Sequence, residues 1–367
     1  MPIYYIDSLA GDNKNSGLSE NEPLENIDGL SLCDNDEVRF RRGTEYRGGI
    51  SYHGKDGEHV KFCAYGEGEN PKFYGSINRS EMYLWKETEK NVWLLQIKLT
   101  SPACNAVFDF GDHCGIKATS ADALDAQGKW YYDGADFYIY SEENPGKYYS
   151  DIEICLSDMN SAVISVDGNA TVENLDVVCA GGNGISSRNA ENLIISECRF
   201  EFIGGAESDA DANLRYGSAV SITGARGKVN VENCYFYNIF DSCISVESFD
   251  EKSSPKMNFS GNTMNKYGMA ALETSGNVRG DVLFELNECM GAGRGFSLGG
   301  GKPPRMSKIY PEPTGYHVLA SDCAFARGKI TARRNVFRGV PTGADVRLIG
   351  SCENPGNVIV SENSEKQ

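Results

Sequence analysis

Apolar and polar residues alternate along much of the chain in short runs, broken by glycine, asparagine and aspartate. A period of two is the mark of half-buried strands, whose side chains point alternately to opposite faces. From residue 160 onward the runs recur. "VENLDVV", "ISECRFEFI", "VENCYFYNI", "FSGNTMNKY", "FELNECMGA", "ARRNVFRGV" and "VSENSEKQ" share an apolar position, then Asn, then another apolar position. Asn174, Asn233, Asn262, Asn287, Asn335 and Asn363 hold the shared place, with Glu197 standing in once. Successive spacings are 23, 36, 29, 25, 48 and 28 residues. A base period in the mid-twenties, lengthened in places by loops, predicts stacked β coils, because one coil cannot bury its own apolar face. Inward Asn at a tight turn bonds to its copies in neighbouring coils, and Asn tolerates the left-handed backbone of such turns. Cys198 and Cys234 follow the Asn column at equivalent places and extend an inward stack of small side chains.

A second strand set lies between these turns: "GISSR" (184–188), "AVSIT" (219–223), "CISVE" (243–247), "ALETS" (271–275) and "FSLGG" (296–300). Alternation turns Val220, Ile222, Ile244, Val246 and Leu272 inward. Ser186, Ser221, Ser245, Glu273 and Ser297 then form one outward column, and Arg188, Thr223, Glu247, Ser275 and Gly299 the next. With coils about 4.8 Å apart and about 3.3 Å per residue, the Glu273 and Glu247 Cα atoms are about 8 Å apart. Two carboxyl groups separated by about 5 to 9.5 Å suit glycosidic cleavage, one as acid and one as nucleophile or base. Glutamates on an outer solenoid face are ordinarily just solvated. Serine surroundings single out Glu273, and Glu247 less strongly.

Residues 1–79 form a cap and the first coils, with "PLENIDGLSL" predicted as a short amphipathic helix closing the end. Residues 80–155 break the period and concentrate aromatics (Trp85, Trp93, Trp130, Tyr131, Tyr132, Tyr138, Tyr140), as an inserted β subdomain would. Residues 156–367 are the main solenoid. Two excursions, 204–217 and 299–322, are expected to wall the outward face and carry binding residues. Candidates there are Arg215 and Tyr216 in the first, and Arg305, Tyr310 and His317 in the second. Arg188 on the outward column and Arg294 in "GAGRGFSLGG" are further substrate contacts. Asp241, in "YNIFDSCISVE", precedes its strand as a turn aspartate usually does, and is a third candidate catalytic carboxylate.

The chain resembles the right-handed parallel β-helix proteins of the pectate-lyase-like superfold. "YYIDSLAGDNKNSGLSENEPLENIDGL" followed by "DEVRFRRGTEYRGGI" is similar to the cap and first coil of carbohydrate-active members. "GKWYYDGADFYIYSEENPGKYYSDIEI" (128–154) resembles a small β insert of glycosidase-like members, and "GRGFS" a stretch in the same proteins. The resemblance implies an all-β, right-handed parallel β-helix with an N-terminal cap and a small inserted β subdomain, and carbohydrate chemistry. Departures narrow the chemistry. The paired aspartates and Gly-His-Gly of polygalacturonases are missing, and "GGNGIS" has Asn183 where a His would stand. Lyases of this type use a basic proton abstractor and usually calcium; the outward columns offer only Arg188, though a loop Lys such as Lys302 could serve.

The net charge of −17, from 35 basic and 52 acidic residues, repels nucleic acid and counts against polyanionic glycans. No run of eighteen apolar residues exists to form a membrane helix. "MPIYYIDSLAGD" lacks the basic stretch and apolar core of a signal peptide. Twelve cysteines without a CxxC, several in apolar strand contexts, point to free thiols and a cytoplasmic setting. Asp209, Asp211 and Asn213 in "ESDADAN" lack the Gly and terminal Glu of a calcium loop. The histidines (His53, His59, His113, His317) have no zinc spacing, so neither metal nor cofactor is expected. The expectation is a cytoplasmic glycoside hydrolase acting on a short neutral oligosaccharide. A uronate lyase or epimerase and a non-catalytic glycan-binding solenoid are the alternatives.

Overall fold

Three parallel sheets wind around one apolar core in a right-handed parallel β-helix. The computed structural model describes residues 1–55, 57–157, 162–207, 215–248, 255–276, 280–295, 315–321, 328–340, 346–349 and 358–365. Among these described residues the first sheet has ten strands, running from Ile3–Ile6 through Glu37–Arg41 and Lys228–Glu232 to Val358–Ser361. The second has nine, from Glu45–Arg47 through Tyr235–Ile239 and Thr263–Tyr267 to Ser364–Glu365. The third has eight: Ile50–His53, Ala162–Asp167, Asn183–Arg188, Val220–Thr223, Ile244–Ser248, Ala270–Gly276, Tyr316–Ser321 and Val346–Ile349. Inward residues from all three make a continuous stack, including Val172, Ile195, Val231, Phe259 and Phe284 from the first sheet and Phe200, Phe236 and Met264 from the second.

The asparagine column of the sequence is two columns in the structure, one residue apart. Asn174, Glu197, Asn233, Gly261, Leu286, Arg334 and Glu362 all have φ between 54° and 68° and turn the chain from the first sheet to the second. The next residue points inward. There Asn262 Nδ2 donates to Asn287 Oδ1 at 3.0 Å, Asn287 Nδ2 to Asn335 Oδ1 at 3.0 Å, and Asn335 Nδ2 to Asn363 Oδ1 at 2.9 Å. Cys198 and Cys234 occupy this second column, and the Cys234 amide donates to Asn262 Oδ1 at 2.9 Å. The left-handed turn and the inward ladder are thus separate tasks on adjacent residues, so Asn174 and Asn233 belong to the turn column and not to the ladder.

Between Ser76 and Leu156 the chain leaves the solenoid for two mainly antiparallel sheets. Ala103–Phe108 pairs with Ile152–Leu156, and Lys129–Tyr132, Phe137–Tyr140 and Val92–Leu95 form the centre of the other sheet. Trp130 and Phe137 stack in a separate core, ring centroids 5.4 Å apart. The cap differs from expectation. "PLENIDGLSL" forms no helix; Leu24 instead bridges Ile6 in parallel and is buried against the first coil. Ten cysteines among the described residues carry free thiols, eight of them buried.

Candidate functional site

Register on the third sheet defines its outer face. Ser51, Ser165, Ser186, Ser221, Ser245, Glu273 and Leu319 lie side by side in successive coils. The neighbouring column is His53, Asp167, Arg188, Thr223, Glu247, Ser275 and Ser321. The coil after Glu273 is Tyr316–Ser321, so the strand that pairs with 270–276 is not "FSLGG". Phe296 to Gly300, with Ser297 and Gly299, lie outside the described residues.

Glu273 stands at the end of a column of five serines and has no exposed surface. Its Oε2 accepts from Ser242 Oγ at 2.8 Å. Ser242 belongs to the turn that feeds the preceding strand, and Asp241 beside it is equally buried. The Asp241 carbonyl accepts from the Met269 amide at 2.9 Å, which ties this turn to the start of the Glu273 strand. The third sheet therefore brings Asp241, Ser242 and Glu273 to one junction between two coils. Met269, Ala270, Tyr316 and Leu319 form a small apolar cluster on the same strands. A carboxylate removed from water in this way must be held by donors, and the Ser242 hydroxyl is one. Glu247, in the adjoining column beside Ser275, is half-buried. Arg188 and Arg294 are exposed.

Two candidate contacts have other work. Arg215 is buried, its guanidinium 4.4 Å from the centre of the Phe240 ring. It donates through Nε to the Gly205 carbonyl at 2.9 Å and through Nη2 to the Cys104 carbonyl at 3.0 Å, fastening a short hairpin (Ala206–Glu207 with Arg215–Tyr216) to the insert. Arg215 is thus spent on backbone, and half-buried Tyr216 supplies the carbonyl that accepts from Gly205 N. His317 lies in a strand and not on a loop. It faces the core, with Nδ1 2.5 Å from Tyr267 Oη and its ring stacked 4.6 Å from Phe337. Burial pushes its pKa down to about 4. Tyr267 and Phe337 are both core residues, so these contacts hold His317 on the side opposite that of a sugar contact. Arg305, Tyr310, Lys302, Asp209, Asp211 and Asn213 lie outside the described residues.

Ser242 is the site residue that sequence reasoning missed. Its one signal was adjacency to Asp241 in a turn that precedes an outward strand. A cavity of about 350 Å³ opens elsewhere, where the insert meets the early coils, lined by Gly48, Gly49, Gly75, Ser76, Thr100 and Asn183. None of the candidate catalytic residues lines it. Among the described residues no group of His, Cys, Asp and Glu could hold a metal.

No known family model matches the chain, and no curated protein matches it in sequence. Similar solved structures exist. One described as the complex of XylC with xylose superposes with a TM-score of 0.51 at 12% identity, covering 98% of this chain and 62% of that one. The GH136 lacto-N-biosidase from Eubacterium ramulus gives 0.34 at 12% identity, covering 99% and 67%. Pectate lyase Pel9A gives 0.41 at 11% identity, covering 100% and 79%. The chain therefore spans less than two thirds of the XylC chain, and likeness at this identity establishes the fold alone.

Proposed function

We propose that the protein is a glycoside hydrolase that cleaves a glycosidic bond in a short neutral oligosaccharide, with Glu273 as one of its two working carboxyl groups. The observation that carries this reading is the burial of Glu273 at an outward position, bonded to Ser242 beside Asp241. A buried carboxylate with no counterpart in five serine-bearing coils has no folding duty that the repeat requires, since those coils close without it. Glu247 is the partner, one coil and two residues away, at a Cα separation of about 8 Å that falls within the range for paired glycosidase carboxyls. Asp241 positions the Ser242 turn. Exposed Arg188 and Arg294 are left to contact sugar hydroxyls. The net charge of −17 favours a neutral substrate, and the free buried thiols favour a cytoplasmic setting. The fold accommodates sugar ligands, since the XylC structure is described with xylose. The test is turnover of a panel of neutral oligosaccharides, read as new reducing ends. An unsaturated product absorbing in the ultraviolet would replace this reading with a lyase.

A further inference from the structure

At the opposite end of the same outer face, residues distant in sequence meet. Ser51 and His53 sit two apart on one strand and so share its outer side. Asp167, more than a hundred positions later, falls in register with His53 on the next strand. His53 Nδ1 lies 2.9 Å from Asp167 Oδ2, and His53 Nε2 lies 3.2 Å from Ser51 Oγ. With Nδ1–H donated to the Asp167 carboxylate, Nε2 is the acceptor that faces the serine hydroxyl. The strand is fixed from beneath by buried Ile50 and Tyr52, and the Asp167 carbonyl accepts from Gly54 N at 2.9 Å. Ser51 and His53 are exposed, and Asp167 is partly covered, its side chain 31% accessible.

We infer that Ser51, His53 and Asp167 form a second, esterolytic site that removes small acyl groups from hydroxyl-bearing substrates. The relay is of the nucleophile–base–orienter kind, recognised by geometry and not by order along the chain. Ser51 Oγ adds to the acyl carbon while its proton passes to His53 Nε2. The ester C–O bond then breaks, and the same proton goes to the departing alkoxide. Water, deprotonated by His53, releases the acyl group as a carboxylic acid and restores the Ser51 hydroxyl. Ester and water give acid and alcohol, and nothing else is consumed. Asp167 holds the imidazole in the required tautomer and balances the imidazolium formed between steps. Ser165, in register with Ser51 on the same face, supplies a hydroxyl donor beside the reacting carbonyl. An open site suits a small acyl group on an exposed hydroxyl, and O-acetyl sugars are the class that fits a face lined by serines. The inference is independent of the Glu273 reading, since the two sites lie five coils apart, about 24 Å at about 4.8 Å per coil.

The experiment uses p-nitrophenyl acetate and peracetylated glucose with the full chain, followed by nitrophenolate and acetate release. A fluorophosphonate probe with peptide mass spectrometry locates the nucleophile. The expected result is saturable hydrolysis, label on the peptide bearing Ser51, and at least about a hundredfold loss of rate in Ser51→Ala and in Asp167→Asn. All three side chains lie at the surface, so circular dichroism of the variants should match the parent. Hydrolysis no faster than an equal concentration of free imidazole, label on another serine, or full activity in Ser51→Ala would each overturn the inference.

Discussion

Asn262 and Asn287 are joined twice: the Asn262 backbone N–H and its Nδ2 both donate to Asn287 Oδ1, at 2.9 and 3.0 Å. Asn262 Nδ2 also donates to the Val231 carbonyl at 3.0 Å, and its Oδ1 accepts from the Cys234 amide. One side chain therefore satisfies groups from the coils on either side of it, in a buried core.

Asn262→Leu should lower stability by about 2 to 4 kcal/mol, because it strands the buried Cys234 N–H and the Val231 carbonyl in addition to losing its own bonds. Asn233→Gly, one column over, should change stability by less than about 0.5 kcal/mol, since glycine meets the positive φ of 54° at no steric cost. Urea unfolding of both variants checks this. Equal losses would mean that the two columns do not divide the work.

That division shows what the sequence made legible. The repeat and the inward apolar positions followed from period-two alternation, because a residue shifted by one would move to the wrong face. The asparagines themselves could not be told apart, since Asn serves both a left-handed turn and a hydrogen-bonded ladder. Glu273 was visible as the exception in a serine column, and register with Ser245 confirms that placement. His317 was misplaced because its strand follows a long excursion, and nothing local distinguishes a loop histidine from an inward one. His53 and Asp167 went unnoticed because only the coil stacking brings them together.

His317 should make stability pH-dependent. Its folded pKa of about 4 lies below the ordinary value of 6.5, so the unfolded chain binds the proton first. The stability gained from keeping it neutral is present above pH 6.5 and is lost as pH falls towards 4, at up to about 1.4 kcal/mol per pH unit. Denaturation between these pH values should be shallower with pH in His317→Phe than in the parent. Identical slopes would contradict the burial account.

Arg215→Ala should cost about 2 to 4 kcal/mol, because the Gly205 and Cys104 carbonyls lose their buried donor. Substrate affinity should stay within about twofold, as the guanidinium is committed to backbone. A large rise in KM with unchanged melting temperature would return Arg215 to the binding site.

The thiols should play no part as crosslinks. Burial pushes the Cys155, Cys198 and Cys243 thiols well above the usual range, which leaves them inert. The melting temperature should be the same with and without reductant. A fall of many degrees under reductant would point to disulfides and an oxidising compartment.

The central claim is that Glu273 works as a catalytic carboxyl group, held by Ser242. Glu273→Gln keeps the shape and an oxygen for the Ser242 hydroxyl while removing the charge and the transferable proton. The measurement is the rate of reducing-end formation by this variant on a neutral oligosaccharide that the parent cleaves, with unfolding followed in parallel. The account predicts a loss of at least about a hundredfold in kcat, in a protein that still unfolds cooperatively near the parent's midpoint. A Glu273→Gln protein that turns over the same substrate at near the parent's rate would contradict it.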